Sequence, residues 1–589
     1  MLDRVTLALA GTSVAFHLYL IFSGLVPNLV SRPVHLALAL PWIFVFSSRP
    51  QGRAERLFGY GLCAAGLLAC AYVLLYRERL GDQYGALEGR FQYLVAVVLL
   101  MVVLDLARRA IKLALPLVAT LALAYGCFGQ YLPGEFGHPG IPLDSFLGTL
   151  TIAEGGIWGP LTGVSVNVVA VFVMLGAFVG AGEGGAGFMA LATRLAGRYR
   201  AGAAKVSVLA SALFGSISGS ASANVASTGA ITLPTMKRLG YPAPFAAAVE
   251  AVASTGGQIM PPLMGAGAFV MVELLRTSYN QIMAAAILPA LLFFWGVWLS
   301  VDRYARQTGL VGMRRDELPD TRTLLVTAPF FLLPFGILLG MLFLTGYTPQ
   351  YAAGVAIIVA ALLLVTDRSA RIRLSAARAR FEKALIDAAR QIAGIAAIIV
   401  CAGIVIGVLN MTGLGVKVTS MIVGFSGGNL WMALLFTALA CLILGMEVPT
   451  TAAYIICVSV AGPALQTLGL PPLQAHLFVF WFALLSTITP PVCGTVFIAA
   501  GMAETPWIPT ALHAMRLGLG LYLVPLAFVA NPALIQPDQT PLAAAAALIK
   551  IGLGLWLLGQ GVATRGSTWW RRVPSLVGGL VVIFALPIR

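Results

Sequence analysis

The sequence predicts an all-α, polytopic membrane protein whose centre is two inverted repeats, and three observations predict it. Of 589 residues, 59% are hydrophobic and only 10% are charged, a composition foreign to ordinary soluble domains. Many windows of about 18 to 23 residues lack charge, enough for a helix to span a bilayer, whereas the alternating pattern of a barrel is absent. One unusual pattern also occurs twice. Gly187 precedes Gly415 by 228 residues, Ser218 precedes Glu447 by 229, and Pro261 precedes Pro490 by 229.

In the first copy, Ala203–Met271, two apolar arms flank a tip of glycines and hydroxyls, Gly215–Asn224 (GSISGSASAN). Each arm is about 12 residues, roughly 18 Å of helix against a hydrocarbon core of roughly 30 Å. Neither arm crosses, so the pair is expected to form a re-entrant hairpin with its tip near mid-membrane. The next segment, Phe245–Met271, is long enough to span, but Ser254–Pro262 (STGGQIMPP) cannot be continuous helix. Pro261 and Pro262 lack ladder N–H groups, and a residue before proline is pushed out of helical space. Unwound backbone at that depth is tolerated only inside protein or along a wet cavity, and paired interrupted segments point to a transporter's site. The second copy repeats the turn as Leu444–Ala452 (LGMEVPTTA) and the break as Ser486–Thr495 (STITPPVCGT).

Four spans come first, about Val5–Val26, Val34–Ser47, Leu57–Tyr76 and Phe91–Asp105. The first has no small-residue cleavage site close behind it and is expected to be retained. Arg49, Arg53 and Arg56 follow the second span, and Arg108, Arg109 and Lys112 follow the fourth. The positive-inside rule puts both loops, and the N-terminus, in the cytoplasm. A fifth span, Leu113–Leu132, leads to an external loop, Pro133–Asp144, and Gly159–Gly180 returns inward. Phe188–Lys205 is amphipathic and basic, expected to lie along the cytoplasmic interface. The first hairpin then enters from the cytoplasm, Phe245–Met271 runs outward and Ile282–Val301 runs back. After a charged loop, Arg303–Arg322, come spans Leu324–Leu344 and Tyr351–Val365, a basic stretch Asp367–Lys383, and Ile392–Leu409 running outward. The second hairpin, Leu430–Leu468, therefore enters from outside, and Leu477–Ala500 runs inward. Three spans close the chain, about Ala511–Val529, Leu542–Val562 and Val573–Pro587, with Arg565–Arg572 inside and Trp569 and Trp570 as interfacial anchors.

The resulting organisation is a four-span accessory domain over 1–112 and a connecting span with external loop over 113–158. A first repeat with a cytoplasm-facing hairpin covers 159–301, and connecting spans with basic loops cover 302–390. A second repeat with an outside-facing hairpin covers 391–531, and C-terminal spans cover 532–589.

The net charge of +15 sits in short loops between spans, which excludes nucleic acid as partner. The seven cysteines lie in or beside apolar runs with no CxxC pair, as small packing residues do. The histidines (His17, His35, His138, His476, His513) show no HExxH, and no GxxxxGK[ST] loop is present to cradle ATP. Neither a transition metal nor another cofactor is expected.

The tips offer hydroxyls, carbonyls and helix ends. A helix ending in the membrane leaves carbonyls for a cation, and one beginning there presents N–H groups to an anion. Ser216, Ser218, Ser220, Ser222 and Asn224 supply hard oxygens that suit Na⁺, with Thr255, Gly256 and Gln258 facing them. Gly445, Glu447, Thr487, Thr489 and Thr495 are their counterparts in the second copy. A carboxylate is expected at Ser220, Asn224, Pro449, Thr450 and Thr451, because Pro449 suits a helix start. Glu250 and Glu447 are the acids expected at membrane depth. Such carboxylates are costly and are candidates for carrying a proton. The bland alternatives are close packing at the glycine pairs Gly215/Gly219 and Gly403/Gly407, and for Glu250 a hydrogen bond to a neighbouring helix.

The segments SISGSASANVASTGAITLPTMKRLGY, VEAVASTGGQIMPPLMGAGAFVM and LGMEVPTTAAY resemble the fused membrane subunit of tripartite ATP-independent periplasmic (TRAP) transporters, in the branch paired with TAXI-type binding proteins. The resemblance covers nearly the whole chain. It implies an ion-transporter-type elevator fold, with a static scaffold and a mobile part bearing both hairpins. It also implies a small four-span and a large subunit in one chain of the bacterial inner membrane. The partner implied is a periplasmic solute-binding protein delivering an organic acid, with a Na⁺ or H⁺ gradient as the driving force and no ATPase subunit. Two other functions fit the sequence. One is an ion-coupled organic-anion transporter or antiporter that needs no binding protein. The other is an intramembrane enzyme built on Ser218, which has no histidine near it in sequence.

Overall fold

The computed structural model describes residues 2–46, 52–111, 113–262, 264–366, 372, 374–446, 448–563 and 569–585, without the side chains of 2, 3, 217, 374, 375, 561–563 and 569–572. Glu447, Arg49, Lys112 and Arg565, and the side chains of Trp569 and Trp570, therefore lie outside the described residues. The described regular elements are helices. Eight are long and apolar enough to cross a bilayer, nine if Arg315–Thr327 and Pro329–Leu344, bent by 53° at their junction, make one span. The protein is an all-α, multi-pass membrane protein.

Helices form over the first four expected spans, as Leu2–Phe22, Asn28–Phe44, Arg53–Leu75 and Gly89–Ile111. Three of them, the first, second and fourth, pack against one long helix, Leu374–Thr412. That helix has 39 residues, about 58 Å at 1.5 Å per residue, and takes in the end of the basic stretch expected as loop. Polar groups dock the bundle further. Arg32, nearly buried, pairs with Glu154 at 3.1 Å and donates to the carbonyl of Trp158, while Asn28 donates to both oxygens of Glu154. His17 Nδ1 donates to the Ser13 carbonyl at 2.7 Å, which leaves Nε2 to accept from His35 Nδ1 at 2.8 Å. His35 Nε2 must then accept from Ser165 Oγ at 2.9 Å. Ser165 opens a π-helical turn, Ser165–Val169, inside the segment Pro160–Ala181.

The repeat is visible in the helix starts. Ala221 and Thr450, Ala243 and Pro472, and Gly265 and Gly494 each begin helices 229 residues apart. The first hairpin is Gly202–Ser218 and Ala221–Arg238, arms of 17 and 18 residues. They are longer than expected because most of the glycine–hydroxyl tip stays helical. Gly215 is needed for close approach, since a Cβ there would stand 2.3 Å from Gly257 Cα. Ser216 Oγ folds back onto the Leu213 carbonyl at 2.7 Å. Only Gly219, at φ 61°, takes the left-handed conformation that ends the helix. The second hairpin is Leu430–Leu444 and Thr450–Thr467.

The broken segments are Ala243–Gly257 with Gly265–Leu275, and Pro472–Leu485 with Gly494–Ala503. Both Pro-Pro bonds, 261–262 and 490–491, are cis. Three other elements differ from expectation. Leu324–Leu344 divides into Thr321–Thr327 and Pro329–Leu344, and Ala511–Val529 divides at Gly518 into Trp507–Leu517 and Leu519–Ala530. The amphipathic stretch Phe188–Lys205 is not one helix, because Gly184–Ala196 ends before the chain reaches Ala201. Ala201, at φ 56°, starts the hairpin arm instead. Lys205 belongs to that arm, its ammonium 2.7 Å from Asp302 and 4.8 Å from the Trp298 ring centre. All seven cysteines are free thiols, six buried and Cys127 half-buried. Gly403 and Gly407 serve close packing, because Cβ atoms there would meet the backbone oxygens of Gly156 and Gly155 at 2.8 and 2.5 Å.

Candidate functional site

Both hairpin tips and both breaks meet at one cavity of about 850 Å³. The first tip contributes Ser218, Gly219, Ser220 and Ser222, and the second contributes Gly445, Pro449, Thr450 and Thr451. Gln258 comes from the first break and Thr487 and Thr495 from the second. The facing wall is mostly apolar, with Phe172, Val173, Ile395 and Ile398 around one amide, Gln391. Ala110 and Ile111, at the end of the fourth bundle helix, also reach the cavity.

Gln258 holds the tips together. Its Nε2 donates to the Gly219 carbonyl at 3.0 Å, and its Oε1 accepts from Thr450 Oγ1 at 3.1 Å. A second tie joins the two breaks. Thr255 Oγ1 lies 3.1 Å from Thr487 Oγ1 and 3.3 Å from Thr495 Oγ1, and Thr495 Oγ1 donates to the Thr487 carbonyl at 2.6 Å. Each tip also sits on the break of its own repeat. Gly219 and Gly265 leave no room for a Cβ between them, and Ser486 Oγ donates to the Gly445 carbonyl at 2.9 Å.

Helix ends point their partial charges here. Ala221–Arg238 and Thr450–Thr467 begin at the cavity; Ser220 Oγ caps the first by accepting from Ala223 N at 3.3 Å, and Pro449 leaves the second without a side-chain cap. Orphan amides at such starts favour an anion, and the carbonyl ends at Ser218, Gly257 and Leu485 favour a cation. Ser218 Oγ is buried with no hydrogen-bond partner among the described residues.

Other candidates lie off the cavity lining. Ser216 bonds its own helix. Asn224, fully buried, donates to the carbonyls of Ser211 at 2.9 Å and Ser254 at 3.4 Å, bracing the hairpin against the break. Gly256 makes room for Phe293, whose Cε1 would stand 1.8 Å from an added Cβ. Thr489 donates to the Leu485 carbonyl at 2.6 Å and pairs with Tyr522 at 2.7 Å. Thr255 reaches the cavity only through the two threonines it touches. Glu447 is outside the described residues.

Glu250 is fully buried, two turns before Gln258, and also off the lining. Five hydroxyls surround it. Ser207 donates to Oε2 at 2.7 Å and Thr232 to the same oxygen; Thr228 donates to Oε1, with Ser211 at 3.4 Å and Ser254 at 3.3 Å. Both hairpin arms and the broken helix thus converge on this carboxylate. Each hydroxyl supplies what a buried carboxyl otherwise loses with water.

Sequence reasoning missed Gln391, whose signal was available as the one amide just before a charge-free run. It also missed the His17–His35–Ser165 chain, because residues 18 and 130 positions apart meet only through packing.

Residues 98–541 match the family described as "Tripartite ATP-independent periplasmic transporter, DctM component". The C4-dicarboxylate TRAP transporter large permease protein DctM of Pseudomonas aeruginosa is 28% identical over 372 residues, 62% of this chain and 84% of that protein. The isethionate TRAP transporter permease protein DctMQ of Oleidesulfovibrio alaskensis is 26% identical, over 58% of this chain and 52% of that protein. The 2,3-diketo-L-gulonate TRAP transporter large permease protein YiaN of Escherichia coli is 24% identical, over 63% and 85%. These relatives are transport permeases, not enzymes. With its matched region spanning both hairpins and both breaks, the chain belongs to the large-permease family of tripartite ATP-independent periplasmic transporters.

Proposed function

We propose that this chain is the membrane component of a secondary importer for an organic acid, fed by a TAXI-type periplasmic binding protein and driven by a Na⁺ or H⁺ gradient. The observation that carries the proposal is the single cavity into which two hairpin tips and two breaks project, joined through Gln258. Three relatives are named for C4-dicarboxylates, isethionate and 2,3-diketo-L-gulonate, all organic anions. Helix starts at Ala221 and Thr450 suit such an anion, and the hydroxyls and carbonyls of Ser218, Thr487 and Thr495 suit a small cation. Glu447, in the second tip by sequence, is the candidate for proton coupling.

Transport follows from moving these four elements together past the facing wall. Packing of each tip on its own break makes hairpins and broken segments one unit, as an elevator requires. The helices Pro160–Ala181 and Leu374–Thr412 and the N-terminal bundle make the scaffold. In this reading the N-terminus is cytoplasmic, the two repeats are inverted, and the bundle corresponds to the small subunit of two-subunit relatives.

Uptake of labelled organic anions into proteoliposomes tests this, with and without the binding protein and with choline in place of Na⁺ at fixed pH. Uptake that needs the partner and an ion gradient supports the proposal. Import without the partner would favour the stand-alone transporter, and turnover of a lipid or peptide abolished by Ser218→Ala would replace transport by catalysis.

A further inference from the structure

We propose that a second cavity, across the first hairpin from the central one, is a charge-paired site that receives an organic anion and its accompanying monovalent cation through Lys383 and Asp387. The proposal deepens the transport reading and rests on it for the chemistry of the solute.

This cavity has a volume of about 310 Å³. Gly180 and Phe188 bound it on one side, and Phe214 and Ser227 of the hairpin bound it on the other. Lys383 and Gln391, both exposed, and the half-buried Asp387 complete its lining. Their spacing of four puts all three on one face of the long helix Leu374–Thr412. Gln391, Ser218 and Ala223 line both cavities, so the tip of the first hairpin is the partition between them. The order along the helix is amide, carboxylate, ammonium, leading away from the central cavity toward the basic stretch expected in the cytoplasm.

Four features distinguish a ligand site from a packing gap. Among the described residues, neither Lys383 nor Asp387 has an ion-pair or hydrogen-bond partner. The neighbouring charges are already paired: Arg380 with Glu183 at 2.9 Å, and Arg378 with Glu382 at 2.9 Å. The hydroxyl of Ser218, on the partition, is buried with no hydrogen-bond partner among the described residues. Gly180 has open space, since a Cβ added there meets nothing within 4 Å.

An ammonium and a carboxylate one helical turn apart fit a solute of matching composition. A carboxylate or sulfonate is held by Lys383, and its co-transported cation by the oxygens of Asp387. An apolar vestibule would hold neither charge, and a purely basic one would repel the cation.

Labelling of one introduced, exposed cysteine in the full chain in membrane vesicles, where the six remaining native thiols are buried, tests this without knowledge of the solute. Ser227→Cys, in a Cys127→Ser background, is treated with anionic sulfonatoethyl, cationic trimethylammonioethyl or neutral methyl methanethiosulfonate. Labelling is expected from the cytoplasmic face. Lys383→Gln should slow the anionic reagent about threefold or more, and Asp387→Asn the cationic one to a similar extent. Lys383→Arg should restore the anionic rate, and the neutral reagent, unchanged throughout, verifies folding. Rates blind to both substitutions, or labelling only from outside, would overturn the second site. Charge-dependent labelling in a chain that carries no organic anion would support the site and overturn the transport reading; uptake with charge-blind labelling would do the reverse.

Discussion

Thr450 Oγ1, at the start of the second hairpin's returning helix, donates to Gln258 Oε1 at 3.1 Å. Gln258 belongs to the break of the other repeat, and its Nε2 reaches the carbonyl of Gly219 in the first tip at 3.0 Å. One amide side chain therefore fixes the separation of two half-helix ends that face the same cavity. Removing both bonds in Gln258→Ala should cut uptake about tenfold, as each is worth roughly 0.5–1.5 kcal/mol. Gln258→Asn, too short to span the tips, should do the same. Uptake at the wild-type rate in both variants would show that the bridge has no part in transport.

Glu250 should behave as a structural hub. Glu250→Gln puts an NH₂ donor against hydroxyl donors that already serve the carboxylate, and should lower unfolding stability by about 1–3 kcal/mol. The pH profile of the remaining uptake should match wild type. Thermal unfolding and uptake across pH measure the two effects separately. A shifted profile would return Glu250 to the coupling machinery.

Gly215→Ala should be poorly tolerated, because its new Cβ meets Gly257 Cα at 2.3 Å, backbone against backbone. Overpacking of this kind costs about 1–3 kcal/mol. Gly394→Ala, on the facing wall with nothing within 4 Å, is the control and should be near neutral. Expression and melting of the two purified variants should differ in that order.

His35→Ala should loosen the N-terminal bundle. It leaves His17 Nε2 and the Ser165 hydroxyl buried without their shared partner, at a cost of about 1–3 kcal/mol for each stranded group. Limited proteolysis of the loops joining the first four helices should accelerate. Unchanged digestion would mean that Arg32 and Glu154 hold the bundle alone.

Much of this arrangement was legible in the chain. Pro261 and Pro490 marked the breaks because a missing N–H leaves the ladder no alternative, and the 229-residue spacing exposed the repeat. The extent of the tips was not legible. Gly215 and Ser216 were expected in the tip, yet they continue the helix: Gly257 packs flush against one, and the other turns its hydroxyl onto its own backbone. Side-chain direction was equally hidden. Asn224 and Thr489 sit among cavity residues in sequence but spend their hydrogen bonds inside the packed unit. The His17–His35 pair depended on tertiary packing, which local periodicity does not encode.

Plugging the central cavity provides the most direct measurement. Gly394→Trp adds an indole where no atom lies within 4 Å of the new Cβ, opposite both tips. Proteoliposomes bearing this variant, inserted at wild-type levels and given the binding protein and an ion gradient, should take up no organic anion. Uptake at the wild-type rate would contradict a transport route between the two hairpin tips.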